Sequence, residues 1–141
     1  MTAEIKSCAV ETARNFCTSR ESANARRLYG APFAAVSSTH ALAATAIAGA
    51  SIVGALIYTL CGGVAEIESV AVDPALLDVG DALVRRFEEA ASYNNCHKLM
   101  ARVKQGSPEQ ALLERFRFRV TAVLERHFFQ ADFADMVKWI A

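Results

Sequence analysis

The sequence predicts a single α/β domain over residues 1–141, in which short strands and amphipathic helices follow one another. Two observations support this fold class. The chain is long enough for one domain with a hydrophobic core. Its hydrophobic period also changes repeatedly between the alternating or continuous apolar pattern of strands and the 3.6-residue spacing of helices. The expected order is a strand, one or two helices, three strands, a helix, a strand, a helix and two strands.

Composition narrows the classes of function. The 15 basic residues equal the 15 acidic ones, and 53% of the residues are hydrophobic. This balance gives no electrostatic signature of a nucleic-acid partner or of an anionic membrane surface. The four cysteines are far apart and form no C-x-x-C motif, which argues against a metal site and favours reduced thiols in a cytoplasmic protein. Charged residues near the N-terminus interrupt any signal-peptide pattern.

One long stretch carries no charge. No Asp, Glu, Lys or Arg occurs between Arg27 and Glu66, and residues 44–63 are numerous enough to cross a bilayer. However, Ala, Thr, Ser and Gly dilute the hydrophobicity, and no nearby basic residue would set an orientation. The Gly-Ala-Ser at 49–51 separates two segments rich in β-branched residues, which favours a buried hairpin. A membrane span is the alternative.

The strands of the first half follow from apolar alternation and from turn residues. Residues 4–10 predict a first strand, and the charged, alanine-containing segment 11–30 predicts one or two helices. The hairpin strands are expected at about 43–48 and 52–60, and a further strand is expected at 65–72. Alternation along this last strand predicts that Glu66, Glu68 and Val70 share one face, opposite Ile67, Ser69 and Ala71.

The second half contains two helix patterns between strands. Residues 79–93 carry a helical apolar face formed by Leu83, Val84, Phe87, Ala90 and Ala91. Residues 97–103 are typical of a strand. Ser107 followed by Pro108 and Glu109 is a helix start, with Ser107 as N-cap. Two closing strands are expected near 118–125 and 133–140.

Four of these segments, in this order, resemble the GNAT acetyltransferase superfamily. "AEIESVAVDPALLDVGDALVRRFEEAA" is similar to its core strand, Val-Asp-Pro turn and glycine-containing loop before a helix. "ALLERFRFRV" resembles its "A-x-x-L-Y-E-x-x-G-F" segment. "ERHFFQADFADMVKWI" resembles its closing hairpin, and "AGASIVGALIY" its second hairpin. The likeness covers about residues 40–141 well and the preceding residues by element order only. It implies a mixed, mostly antiparallel sheet flanked by helices and split by a cofactor cleft.

The resemblance implies an acetyl-coenzyme A site. The family loop R/Q-x-x-G-x-G/A holds the pyrophosphate on backbone N–H groups at a helix start, where the helix dipole is positive. The matching residues here are Leu77, Asp78, Val79, Gly80, Asp81 and Ala82. The resemblance also implies contacts from Ser107 and from the strand end, where a backbone N–H polarises the thioester carbonyl: Val70, Ala71 and Val72.

This loop departs from the family pattern in its charge. Leu77 replaces the basic or amide residue, and Asp78 and Asp81 bring two carboxylates toward the phosphate position. A structural interpretation is open as well: Asp78 as the helix N-cap and Asp81 as the acidic member of a capping box. In that case the protein keeps the fold as a ligand-binding or dimerisation module without affinity for acetyl-coenzyme A.

Acetyl transfer by direct attack requires a base that takes a proton from the amine. Glu66 lies where some family members carry this base, and Glu68 is the second candidate. The alternative is that both are rim carboxylates paired with arginines. The family tyrosine, which serves as the acid, falls on Leu113, and the family glycine falls on Arg117. The expected acceptor is a small-molecule or peptide amine, and apolar C-terminal strands make a homodimer plausible.

Overall fold

The computed structural model describes residues 4–17, 38–45 and 51–140, which belong to two compact units. Within the first unit, residues 10–17 form helix α1, and residues 4–9 have no regular structure. The strand predicted over 4–10 is therefore wrong. Ile5 is 92% exposed, and a short alternating pattern forms a strand only where a sheet is available to bury one of its faces. The predicted helical residues 18–30 lie outside the described residues, and the single domain stays a prediction.

The second unit is a six-stranded sheet with two helices. Its strand order is β1-β2-β3-β4-β6-β5, and every neighbouring pair is antiparallel except β3 and β4, which are parallel. The mixed, mostly antiparallel sheet is confirmed. The elements are β1 (Ser38–Thr45), β2 (Ile52–Cys61), β3 (Val64–Val72), α2 (Leu77–Tyr93), β4 (Lys98–Lys104), α3 (Pro108–Arg115), β5 (Arg119–Leu124), a 3-10 turn (Phe128–Gln130) and β6 (Phe133–Trp139).

The uncharged stretch forms the β1–β2 hairpin. The two strands pair from Ser38 with Leu60 to Thr45 with Ile52, so β1 begins five residues before its predicted start. Residues 46–50, which include most of the predicted Gly-Ala-Ser turn, lie outside the described residues. In the part of the chain that the structure describes, no helix is both long enough and apolar enough to span a bilayer.

The hydrophobic core lies between the sheet and the two helices of this unit. The predicted apolar face of α2 is buried, with Val84, Phe87 and Ala91 fully inaccessible and Ala90 packed at the edge. Alternate residues of β2, β3, β4 and β6 meet this face. At the rim, the Lys138 ammonium group lies 2.7 Å from the Glu88 carboxylate, which connects α2 to β6.

A β-bulge interrupts β3. Ile57 pairs with Ser69 and the next residue of β2, Tyr58, pairs with Ile67, so Glu68 has no partner on that strand. An extra residue reverses the alternation that follows it. Ala65 and Ile67 are buried in the core, and beyond the bulge Val70 and Val72 pack against the same core. The prediction that Val70 shares a face with Glu66 is therefore wrong.

Candidate functional site

The two central parallel strands separate along their length. β3 and β4 pair from Val64 with Lys98 to Ile67 with Ala101, and the ladder ends there. Both strands continue, β3 to Val72 and β4 to Lys104. The separation begins at the bulge residue Glu68, because a bulge disrupts the ladder and bends the strand. Among the described residues, the backbone of β3 beyond Ile67 thus has no strand partner on this edge.

A cleft of about 220 Å³ occupies the separation. Glu68 and Glu109 bring carboxylates to its wall, and Arg102 and Lys104 bring cations. The cleft can therefore hold a polar ligand that carries both donors and acceptors. The lining residues are Ile67, Glu68, Ser69, Val70, Arg102, Val103, Lys104, Glu109 and Phe133.

The two predicted base candidates have different positions. Glu68 lines the cleft, whereas Glu66 is exposed on the face of the sheet away from the core. Arg102 donates hydrogen bonds of 2.6 and 3.2 Å to the carboxylate of Asp135. That bond raises the pKa of the Arg102 guanidinium, and the charge of Glu66 adds a smaller attraction. Glu66 forms no direct ion pair within the described residues.

The start of α2 leaves backbone donors free. The helix begins at Leu77 after the N-cap Leu76, which provides no side-chain cap. Asp73 instead organises the preceding turn: its Oδ1 accepts a 2.9 Å hydrogen bond from the Ala75 amide. The N–H groups of Leu77 and Asp78 make no hydrogen bond within the described residues. These are the anion-binding donors of a helix N-terminus.

The capping interpretation of the two aspartates is wrong. Asp78 lies inside the first turn of α2, and its side chain caps no amide. Asp81 lies one turn further, and its Oδ1 accepts a 2.7 Å hydrogen bond from the Arg115 guanidinium on α3. The helix begins two residues earlier than predicted, because Leu76 can serve as N-cap without a side-chain acceptor. The Asp81 carboxylate is therefore bound to α3 and not to the amides of its own helix.

Two further cavities border this helix start. One, of about 110 Å³, lies between the first turn of α2 and α3. It is lined by Val72, Asp73, Pro74, Leu76, Leu77, Gly80, Pro108, Glu109, Ala111, Leu112 and Arg115. A more open groove of about 360 Å³ runs along the ends of β2 and β3. It is lined by Ile52, Val53, Gly54, Ala55, Ala71, Val72, Asp73 and Glu109.

Glu109 lines all three cavities, so the carboxylate at the start of α3 lies where they meet. Val72 and Asp73 are shared by the cavity beside α2 and the open groove. A ligand of extended shape could follow this route from the unpaired amides of α2 to the opening between β3 and β4. The sequence predicts only that Glu109 helps to start a helix, because sequence spacing does not reveal which cavities a first helical turn borders.

The predicted cofactor residues are brought together only in part. Val70 lines the cleft, Ala71 and Val72 line the groove, and Leu77 and Gly80 line the cavity beside α2. A Cβ on Gly80 would lie 3.2 Å from Leu112, so glycine lets α2 pack closely on α3. Those outside the three linings are Asp78, Val79, Asp81, Ala82 and Ser107. The Ser107 hydroxyl accepts a 3.2 Å hydrogen bond from the Gln110 amide, as the predicted N-cap.

The residue at the position of the family's proton-donating tyrosine cannot donate a proton. Leu113 is fully buried and has no ionisable group. The turn that follows α3 does form: Arg117 adopts a φ of 68°, the left-handed conformation that glycine usually provides. The Phe118 amide donates a 3.1 Å hydrogen bond to the Leu113 carbonyl and closes this turn.

The cations of the site were not among the residues predicted from the sequence. Arg102, Lys104 and Arg115 line the cleft or the cavity beside α2. Their positions depend on the pairing of β4 with its neighbours and on the packing of α3, and no local motif marks either. A signal was nevertheless present for Arg115, since a basic residue in the last turn of a short helix can bind a nearby helix start.

Solved structures share this architecture across nearly the whole chain. An acetyltransferase from Bacillus cereus superposes with a TM-score of 0.71 at 13% identity, covering 98% of each chain. A putative acetyltransferase from Agrobacterium tumefaciens gives a TM-score of 0.67 at 15% identity, covering 99% of this chain and 100% of the other. The ribosomal-protein-S18-alanine N-acetyltransferase of Escherichia coli gives a TM-score of 0.62 at 18% identity, covering 73% of this chain and 70% of the other. No protein-family model and no curated protein matches the sequence.

Proposed function

We propose that this chain, which has the fold of the GNAT acetyltransferase superfamily, is an N-acetyltransferase that uses acetyl-coenzyme A. One observation carries the proposal: β3 and β4 stop pairing after Ile67 and Ala101, and a cleft opens between them. Unpaired strand backbone is a strong hydrogen-bonding surface that requires a partner. A ligand lying between the strands would provide that partner.

The residues at the start of α2 fit the phosphate end of the cofactor. The Leu77 and Asp78 amides are unpaired within the described residues, and the positive end of the helix dipole lies beside them. The Asp81 charge is balanced by Arg115. Asp78 is exposed, so solvent and salt screen its charge. When bound, acetyl-coenzyme A would supply the activated acetyl group as a thioester.

Residues of the chain must remove the proton from the amine and polarise the carbonyl group. The amine must lose a proton to become a nucleophile, and Glu68 is the base candidate because its side chain lines the cleft. Glu66 is the second candidate, although it lies outside the cleft lining. The backbone N–H groups near Val70 and Val72 would polarise the carbonyl as its oxygen gains negative charge. No tyrosine lies at the family position for a proton donor, and Tyr93 and Tyr58 line none of the three cavities described above.

The acceptor is proposed only as an amine of a small molecule or peptide. The similar structures include a ribosomal-protein alanine N-acetyltransferase and a spermidine N-acetyltransferase chimera, which differ widely in acceptor. We also propose a cytoplasmic location and a homodimer through the closing strands, where Val120, Val123 and Trp139 are partly exposed.

Calorimetric titration with acetyl-coenzyme A tests the proposal, together with thermal unfolding in its presence. Binding to the folded state alone should raise the melting temperature in proportion to the logarithm of ligand concentration above Kd. Sodium chloride at matched ionic strength is the control for nonspecific salt effects. The absence of heat and of any shift at millimolar acetyl-coenzyme A would contradict the proposal.

A second candidate, a ligand-binding or dimerisation module that has lost the cofactor, is favoured by Leu77 and Asp78 in the loop. Replacement of Asp78 and Asp81 by glycine would separate the two functions. Affinity that appears only in this double variant would identify the natural protein as the degenerate module. Comparable affinity in both proteins would support the enzyme.

A further inference from the structure

Arg115 at the end of α3 occupies an unusual position for a surface arginine. It lines the cavity beside the first turn of α2, together with Leu77 and Gly80. Its guanidinium lies 2.7 Å from the Asp81 carboxylate, and the two side chains remain 42% and 33% exposed. Both groups are therefore accessible to solvent, and Arg115 lies in the lining of the cavity.

The charges around this cavity explain why a cation is required. Asp73 and Glu109 line it, and Asp78 lies in the adjacent turn of α2. Leu77 stands where the resemblance places a basic or amide side chain. A diphosphate that approaches the free amides of Leu77 and Asp78 would meet repulsion unless a cation offset it. Within the cavity lining, Arg115 is the cationic residue.

We propose that Arg115 is the phosphate-binding cation of this site and replaces, from α3, the basic residue missing at Leu77. The inference rests on the proposed function and concerns how its cofactor is held. A guanidinium has five N–H donors in a planar fork and can bind Asp81 with one edge while it presents another to phosphate. Asp81 then holds the arginine in position beside the amides.

The test compares Arg115→Gln with the wild type by calorimetric titration of coenzyme A. Loss of a charge-assisted hydrogen bond should lower the affinity by at least about tenfold. Arg115→Lys keeps the charge and should retain more affinity than Arg115→Gln. Arg119→Gln is the matched control, since Arg119 is exposed on β5 and lines none of the three cavities. Circular dichroism and the melting temperature verify that each variant folds.

A comparison of three ligands identifies which phosphate group of coenzyme A contacts Arg115. Arg115→Gln should weaken coenzyme A and dephospho-coenzyme A equally, because both contain the diphosphate. It should leave the KM for acetylpantetheine unchanged, because that thioester has none. A loss confined to coenzyme A would assign Arg115 to the ribose phosphate and overturn the proposal.

The Asp81→Asn variant distinguishes whether Arg115 binds the diphosphate or only neutralises the charge of Asp81. Asparagine at position 81 keeps the oxygen that accepts the hydrogen bond from Arg115 and removes the negative charge. If Arg115 contacts the diphosphate, Asp81→Asn should therefore bind coenzyme A as well as or better than the wild type, and adding Arg115→Gln should still lower the affinity by about tenfold. Wild-type affinity in the double variant, or in Arg115→Gln alone, would overturn the proposal. Failure of the wild type itself to bind coenzyme A would instead overturn the proposed function, and this inference with it.

Discussion

Gly54 on β2 and Val79 on α2 are in such close contact that no side chain fits between them. A Cβ placed on Gly54 would lie 2.8 Å from Val79 Cγ1 and 3.1 Å from Leu83 Cδ1. Both valine and leucine belong to α2, and Gly54 pairs with Val72 at the end of β3. This contact sets the distance between the sheet and the helix start whose free amides form the candidate site.

Gly54→Ala is therefore expected to lower the free energy of unfolding by about 1–3 kcal/mol, the usual cost of overpacking a core. Urea denaturation measures this cost. In a Val79→Ala background the same substitution should cost less, because the clashing methyl group is absent. Strictly additive effects of the two changes would show that this contact does not limit the packing.

The two base candidates can be separated by conservative replacement. Glu68→Gln should lower kcat by about a hundredfold or more, within the range of general-base catalysis. Glu66→Gln should retain most of the activity, because Glu66 lies outside the cleft lining. The measurement is the steady-state kcat of acetyl transfer in both variants. The reverse result would assign the base to Glu66.

Arg117 ends α3 in a conformation that costs energy for a residue with a Cβ. Its φ is 68°, and the left-handed region is unfavourable by about 1–2 kcal/mol for residues other than glycine. Arg117→Gly is expected to stabilise the protein by about 1 kcal/mol, measured by thermal unfolding. Arg117→Ala keeps the Cβ and serves as control. An equal gain in both variants would attribute the effect to the lost charge.

Cys96 should make the protein less stable at alkaline pH. It is 4% exposed, and burial raises the pKa of its thiol. The unfolded chain therefore loses this proton first, and stability falls as the pH rises from about 8.5, the ordinary thiol value, toward the raised folded value. Denaturation at several alkaline pH values should show a smaller loss in Cys96→Ala.

Cys61→Ala is the control for that experiment, since its side chain is exposed. Removal of an exposed thiol tests whether the alkaline loss depends on burial. If both variants flatten the pH dependence equally, the burial of Cys96 is not its cause.

Local patterns were sufficient for most of the elements. The apolar spacing of Leu83, Val84 and Phe87 correctly predicted the buried face of α2, because helix geometry brings such positions onto one side. Ser107 caps α3 as predicted. The prediction of a strand over residues 4–10 was wrong because a strand forms only where another strand pairs with it. Alternation along a short segment does not show whether such a partner exists.

Other features depended on residues far apart in the chain. The Glu68 bulge results from its register with β2, and it reverses the faces of Val70 and Val72. The pairing of Asp81 with Arg115 joins residues 34 positions apart. Neither can be read from spacing, since both depend on how the elements pack.

By itself, the sequence determined the order of strands and helices from β1 to β6, the buried face of α2 and the start of α3, because these properties depend on a few neighbouring residues. Only the tertiary structure decided where β3 leaves β4, that the first amides of α2 have no partner among the described residues, and that a cation from α3 lines the cavity beside this helix start. These properties depend on register and packing between segments that are distant in the chain.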